Sequence, residues 1–339
     1  MQWLSFLASI IVSLWGLVVA KTFLVPILMA ALLAFMMAPF VRLLRKNKIP
    51  EWLALTFSGA LLFLPVFLVV LFSVKEVKTL IHDFPSITAS LKSHLDHFAT
   101  SSWVKQFGLS DYLDMELLSQ RITENSGSTL SIIEQGLKGL AQVGTHILVT
   151  FFFSILMLAC RQHLRLNFER IVSKVGTLDS ITVLIEKFLI IRLGIAVLVA
   201  LVDIVVLKSF GSRYVVLFGS LLGVSTLIPV FGFIVAIIPP AVVSISMGHS
   251  SLSTITLLLV LYLISSAESH FVTPKYLGSR LNLNLLATFL AIFAGESIWG
   301  LWGMLLSVPL LGVLRIALES SKDLKPWAAL LAAERNHSN

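Results

Sequence analysis

Three carboxylates, Asp203, Glu268 and Glu296, and one guanidinium, Arg192, stand in stretches that are otherwise without charge. An ionised side chain in hydrocarbon costs about 3 kcal/mol or more, so such residues pair, face water, or carry ions or protons. Glu268 is therefore the leading candidate for a coupling or ion site, with Asp203 and Glu296 as further candidates. His270 is no ready partner for Glu268, because residues two apart do not share a helix face. Each charge also has a plainer reading. Glu268 could bond a hairpin backbone or Lys275, and Glu296 could cap a broken half-helix. Asp203 and Arg192, near span ends, could snorkel or pair at the interface. Enzyme signatures are missing: there is no H-E-x-x-H, no G-x-S-x-G and no phosphate-binding loop with its Lys. Cys160 is the single cysteine, which excludes an intrachain disulfide and a cysteine metal cluster. His94 and His97 read as a solvated helix face. No catalytic residues, metal or cofactor are expected.

The elements that hold these charges are apolar to an unusual degree. The chain has 339 residues, 57% of them hydrophobic and 13% charged, against about 25% charged in an ordinary soluble domain. Mean hydropathy is +0.94. With only 25 Lys and Arg and 18 Asp and Glu, a soluble globule of this size would lack a polar coat. The apolar residues fall in long blocks rather than short alternating strands, which excludes an outer-membrane barrel. The net charge of +7 fits basic cytoplasmic loops better than nucleic-acid binding. Uncharged or nearly uncharged spans are read at 3–20, 22–41, 52–74, 140–160, 188–207 and 250–272. The first is read as a retained span, since it lacks a basic leader region and is long for a signal core.

Two further blocks, 214–247 and 281–314, are each 34 residues long. As single helices they would run ~51 Å, far beyond a hydrocarbon core of about 30 Å. Each is broken near its centre, at Pro229-Val230-Phe231-Gly232 and between Gly295 and Gly300. Helical hairpins that enter and leave by one face fit this pattern, with tips buried in protein or lining water. Gly223-x5-Pro229-x2-Gly232 and Gly303-x5-Pro309-x2-Gly312 form a faint internal echo that does not superpose the tips. Gly219-x3-Gly223 fits close helix packing. The one extended polar region, 75–142, keeps helical periodicity at Ile87, Leu91, Leu95 and Phe98 and again at Leu130, Ile133, Leu137 and Leu140. It is read as two or three amphipathic helices outside the bilayer, their apolar face packed on the protein.

The C-terminal motifs resemble those of the autoinducer-2 exporter family. Leu227-Ile228-Pro229-Val230-Phe231-Gly232, with Pro239-Pro240 downstream, is similar to its Ile-Pro-x-x-Gly pattern. Glu268-x5-Pro274-x3-Gly278 and Gly295-x4-Gly300-x2-Gly303-Met304, with Pro309, are similar to the next two. Where the family often carries His or Ser and then Pro, this chain has Asn284 and Leu285. The resemblance implies a bacterial inner-membrane secondary transporter, linked in the family to autoinducer-2 export or Na+/H+ exchange, and oligomers including pentamers.

The expected fold is an all-α polytopic membrane protein. It has about six full transmembrane helices plus two broken re-entrant hairpins, or eight full spans, and an extramembrane amphipathic segment. The expected divisions are 1–74, 75–142, 143–213, a transport core at 214–314 and a basic tail at 315–339, with both termini cytoplasmic. The leading function is export of a small polar solute by alternating access, coupled to H+ or Na+. A Na+/H+ antiporter and a membrane scaffold or channel are the alternatives. The substrate gate is expected at Pro229, Gly232, Pro274, Gly278, Asn282, Asn284, Gly295, Gly300, Gly303 and Pro309. The expected partners are the lipid bilayer, the solute, the coupling ion and further copies of the chain, and no nucleic acid.

Overall fold

The computed structural model describes residues 15–100, 149–163, 175–228, 231–273, 275–276, 283–320 and 324–333, with single residues at 9, 12 and 131. Among these it is all-helical apart from an isolated bridge between Leu283 and Ala332. The helices are α1 Lys21–Lys46, α2 Glu51–Thr100, α3 Val149–Ala159, α4 Val175–Ser209, α5 Val215–Ser225, α6 Phe231–Ser246, α7 Ser251–Ala267, α8 Leu285–Trp299, α9 Leu301–Ser320 and α10 Lys325–Leu331. Five of the helical stretches are long and apolar enough to cross a membrane: Lys21–Lys46, Glu51–His94, Ile181–Ser209, Ser251–Val272 and Trp302–Ser320. The chain is thus a polytopic membrane protein, helical through almost all of its described residues.

The expected span at 52–74 does not stop where charge begins. It continues unbroken into the polar region, giving an α2 of 50 residues, ~75 Å at 1.5 Å per residue. Leu80 and Ile87 of its polar half pack into a core. Most of the expected 101–142 stretch, like the first span before residue 15, lies outside the described residues.

The chain divides into two compact units. Unit 1 comprises 1–63, 145–193 and 273–339. In it, Met37, Ala38 and Val41 of α1 meet Ala54 and Leu55 of α2 and Leu158 of α3. Gly59 lets the Phe151 ring press onto the α2 backbone, and Phe63 meets the same ring edge-on at 4.7 Å. Arg42 grips Glu186 with two hydrogen bonds of 2.9 and 2.6 Å. Near the basic loop, Glu51 lies 3.5 Å from Arg45 and 3.7 Å from Arg161.

The second half of unit 1 is the α8–α9 pair. Gly300 turns the chain between them with φ +65°, a value that L side chains rarely adopt. The two helices then run backbone to backbone, because a Cβ on Gly295 or Gly303 would overlap the facing helix. The Ser307 hydroxyl is shared between the Ala291 carbonyl at 2.8 Å and the Gly303 carbonyl at 2.5 Å. At the tip, Trp299 and Ile298 pack on Leu24, Val25 and Leu28, the Trp299 indole donates to the Leu17 carbonyl at 3.0 Å, and Lys21 lies over Gly300. The tip therefore sits at the Lys21 end of α1. At the base, Leu283 pairs with Ala332 and the Asn284 amide donates to the Leu331 carbonyl at 2.8 Å.

Unit 2 comprises 64–144 and 194–272. Its core gathers Ile87 of α2, Leu207 of α4, Tyr214, Phe218 and Leu222, Ala236 and Val243 of α6, and Leu257 and Leu261 of α7. The α5–α6 pair starts and ends at one level: Tyr214 before α5 and Met247 after α6 line one cavity with Asp83 of α2. Two acids of α2 fix that end. Glu76 accepts the Val216 and Leu217 amides at 3.2 and 2.7 Å, taking up free donors at the α5 N-terminus. Asp83 accepts the Tyr214 hydroxyl at 2.8 Å and pairs with Arg213 at 2.8 Å.

The glycine contacts make a differential prediction. Gly303→Ala should destabilise the protein by about 1–3 kcal/mol through overpacking against Gly295. Gly194→Ala, where an added Cβ meets nothing within 4 Å, should be neutral or stabilising by up to about 1 kcal/mol. Thermal unfolding of both variants in detergent checks this, and equal effects would refute the hairpin packing.

Candidate functional site

The α4 helix turns a narrow stripe inward: Ile195, Ala196, Val199, Asp203 and Leu207, at helical spacing. Asp203 belongs to this stripe and is 3% exposed. Its side chain is enclosed by protein and does not extend to the surface. Its Oδ1 has no hydrogen-bond partner among the described residues. The seam between α4 and α5 is tight on either side of it. A Cβ on Gly219 would meet the Ile204 amide nitrogen at 2.9 Å, and one on Gly223 would meet the Ala196 carbonyl at 2.6 Å. Gly219-x3-Gly223 is thus a close-packing motif, as its spacing implies.

Glu268 occupies the equivalent stripe of α7, after Thr254, Leu257 and Leu261, and is 6% exposed. There the helix widens into a π-helical turn over Glu268–Val272. Such turns are rare and recur at functional sites. The Ser269 hydroxyl donates to Glu268 Oε2 at 3.1 Å. His270 faces elsewhere, with Nδ1 2.9 Å from the Ser266 carbonyl, as the two-residue spacing implies. Lys275 lies 5.7 Å over the ring of its neighbour Tyr276. In unit 1, Arg192 donates to Thr273 Oγ1 at 3.1 Å, which gives that membrane-depth guanidinium a polar contact.

The expected gate residues divide between the units. Gly232 lies at the α5–α6 tip, where its missing Cβ admits the Ser225 carbonyl. Gly295 and Gly303 form the α8–α9 backbone contact, and Gly300 makes the turn. Pro309 is buried inside α9, away from that turn. The echo between the two blocks is therefore not structural: Gly223 precedes its bend and Gly303 follows its own. Asn284 is the N-cap of α8, its Oδ1 accepting the Leu286 amide at 2.9 Å. Glu296 is exposed, and its carbonyl accepts the Gly300 amide at 2.7 Å. Pro229, Pro274, Gly278 and Asn282 lie outside the described residues.

Several polar residues that shape these sites were not singled out by sequence. Glu76 and Asp83 are seven apart on α2 and share a face, a signal visible in the sequence once that helix is known to continue past Lys75. Ser307 and Trp299 carried no signal, because their partners are backbone carbonyls. Among the described residues no group of three or more His, Cys, Asp or Glu gathers into a metal site. Among the described residues of unit 2, Asp203 and Glu268 are the two buried carboxylates.

A sequence profile of AI-2E family transporters matches residues 5–323. A candidate transport protein of Haemophilus influenzae is 25% identical, over 96% of this chain and 94% of its own length. The AI-2 transport protein TqsA of Escherichia coli is 22% identical, over 96% and 94%. A candidate transport protein of Escherichia coli, YhhT, is 21% identical, over 98% and 94%.

Asp203 yields a stability prediction. Removing a buried, incompletely bonded carboxylate relieves its desolvation cost. Asp203→Val should therefore leave thermal stability unchanged or raise it by about 1 kcal/mol. A clear fall in Tm would mean that the carboxylate holds the α4–α5 seam together.

Proposed function

The chain belongs to the AI-2E family of transporters and is a multi-pass membrane transport protein, and from that premise we propose that it exports a small polar solute by alternating access, driven by a proton or sodium gradient. The observation that carries this reading is Glu268: a carboxylate 6% exposed, opening a π-helical turn in an apolar helix. A carboxylate buried in an apolar helix is costly to hold and marks ion and proton pathways in membrane proteins. Asp203, on the inner stripe of α4, is the second coupling candidate.

Each broken helical pair is a gate element in this reading. The α5–α6 pair has helices of 11 and 16 residues, about 16 and 24 Å, too short to cross a core of about 30 Å. Both its ends lie at the Asp83 level, so its tip at Gly232 is a re-entrant bend. The α8–α9 pair has its tip at the Lys21 end of α1. Gly232, Gly295, Gly300, Gly303 and Pro309 shape the two pairs, Asn284 holds the base of the second, and Glu296 stands one turn before its tip. Pro229, Pro274, Gly278 and Asn282 complete the gate. The similarity to TqsA makes autoinducer-2 the first solute to test. The setting is the bacterial inner membrane, with the basic loop at 42–48 and both termini cytoplasmic, and the working form is a homo-oligomer.

Proteoliposomes loaded with labelled autoinducer-2 test the reading. Efflux should rise several-fold when a proton or sodium gradient is imposed, and Glu268→Gln should abolish that gradient dependence while the protein remains folded. Asp203→Asn should reduce it. Intact gradient-driven efflux in Glu268→Gln would sink the coupling assignment. Ion-driven pH changes without any organic solute would favour a cation/proton antiporter.

A further inference from the structure

Unit 2 holds a cavity that the transport reading does not use. It measures about 200 Å3 and lies between α2, the linker before α5 and the end of α6. Its charged wall is the Asp83–Arg213 ion pair. Arg213 Nη1 lies 2.8 Å from Asp83 Oδ2, the Tyr214 hydroxyl donates to the same oxygen at 2.8 Å, and His82 Nδ1 lies 3.3 Å from Oδ1. The Arg213 side chain is 59% exposed, and one contact to Asp83 leaves further N–H groups of its five-donor fork to offer.

The hydroxyl wall consists of acceptors. Ser86 donates its hydrogen to the Asp83 carbonyl at 2.7 Å, and Ser246 donates to the Val242 carbonyl at 2.8 Å. With those hydrogens committed to their own helices, the oxygen lone pairs remain for a ligand. The floor is apolar, formed by the buried Ile87 and Val243.

This arrangement selects by charge. A simple anion would meet Asp83, and a simple cation would meet Arg213. A molecule with an anionic oxygen group and a primary ammonium satisfies both ends: the anion takes the guanidinium donors, and the ammonium gives its N–H groups to Asp83 and the serine oxygens. A quaternary ammonium has no N–H to give. The cavity also lies where the uncharged 214–247 block starts and ends, lined by Tyr214 and Met247, at headgroup depth when the α5–α6 pair enters the bilayer. We propose that it binds the phosphoethanolamine group, as a lipid headgroup or as a free small molecule. This rests on the membrane placement of the α5–α6 pair and not on the transported solute or its coupling.

The test uses the purified full-length chain in nanodiscs. Thermal unfolding is compared in phosphatidylglycerol alone, with phosphatidylethanolamine added, with phosphatidylcholine added at the same mole fraction, and in phosphatidylglycerol with soluble phosphoethanolamine. The expected result is a Tm several degrees higher with phosphatidylethanolamine than with phosphatidylcholine, or a saturable Tm rise with the soluble probe. The first alone assigns the cavity to lipid; the second assigns it to a free solute. Arg213→Gln should remove the effect, and Ser246→Ala, which leaves the Asp83 pair intact, should weaken it. Equal stabilisation by both lipids with no response to the soluble probe overturns the proposal. So does an ethanolamine preference undiminished in both variants. Because transport is not the readout, either failure leaves the export reading standing.

Discussion

A helix that stops inside a membrane protein leaves amide donors and carbonyl acceptors with no water to receive them, and each unmet group costs several kcal/mol in hydrocarbon. This chain breaks its apolar segments repeatedly, so its architecture depends on how the free ends are met. At the α5 N-terminus the answer is Glu76, whose carboxylate takes the Val216 and Leu217 amides from 140 and 141 residues away in sequence. At α8 it is Asn284, whose side chain takes the Leu286 amide while its own amide goes to Leu331. At α7 it is Ser250, which accepts the Ser253 amide. Each cap lets an interrupted helix persist at a place where an uncapped one would unravel or shift register.

The same constraint explains the use of small residues. Without a hydrophobic force between helices in lipid, close contact and backbone-directed hydrogen bonds hold them together. Gly219 and Gly223 bring α5 onto α4, Gly295 and Gly303 bring α8 onto α9, and Gly59 receives the Phe151 ring. In each case the partner is backbone or a short side chain, except for Phe151 and Ile204. The Ser307 hydroxyl adds a polar contact to the tightest of these seams. The close contacts run along the helices, and the caps and charges sit at their ends.

What the sequence made legible follows from the same physics. Long apolar blocks and clustered base charges reveal spans because hydrocarbon thickness imposes their length. The 34-residue blocks were readable as broken pairs for that reason. The continuation of α2 through Lys75 was not readable, since a rise in polarity looks the same whether a helix ends or merely leaves the membrane. The Gly219-x3-Gly223 motif declared its packing role through spacing alone. By contrast, the caps at Glu76 and the Asp83–Tyr214–Arg213 cluster join residues more than a hundred positions apart, and no local pattern carries such a pairing. Glu268 stood out by its charge, but the π-helical turn it opens left no trace in composition.

The two buried carboxylates of unit 2 differ in a way that bears on their roles. Asp203 lies in a regular helix, on a stripe of apolar and small residues, at a seam held by glycines on both sides. Nothing in that seam can widen without separating α4 from α5, so a change in its ionisation must be met by the packing around it. Glu268 lies where the helix is already irregular, with Ser269 at hand to bond it. A π turn has an extra residue in its ring and can return to α geometry by shifting one register, which offers a local adjustment that α4 lacks. Burial imposes a cost on both groups. Within the transport reading, Glu268 is the group that can change state and geometry together, while Asp203 sits in a regular helix without such an adjustment.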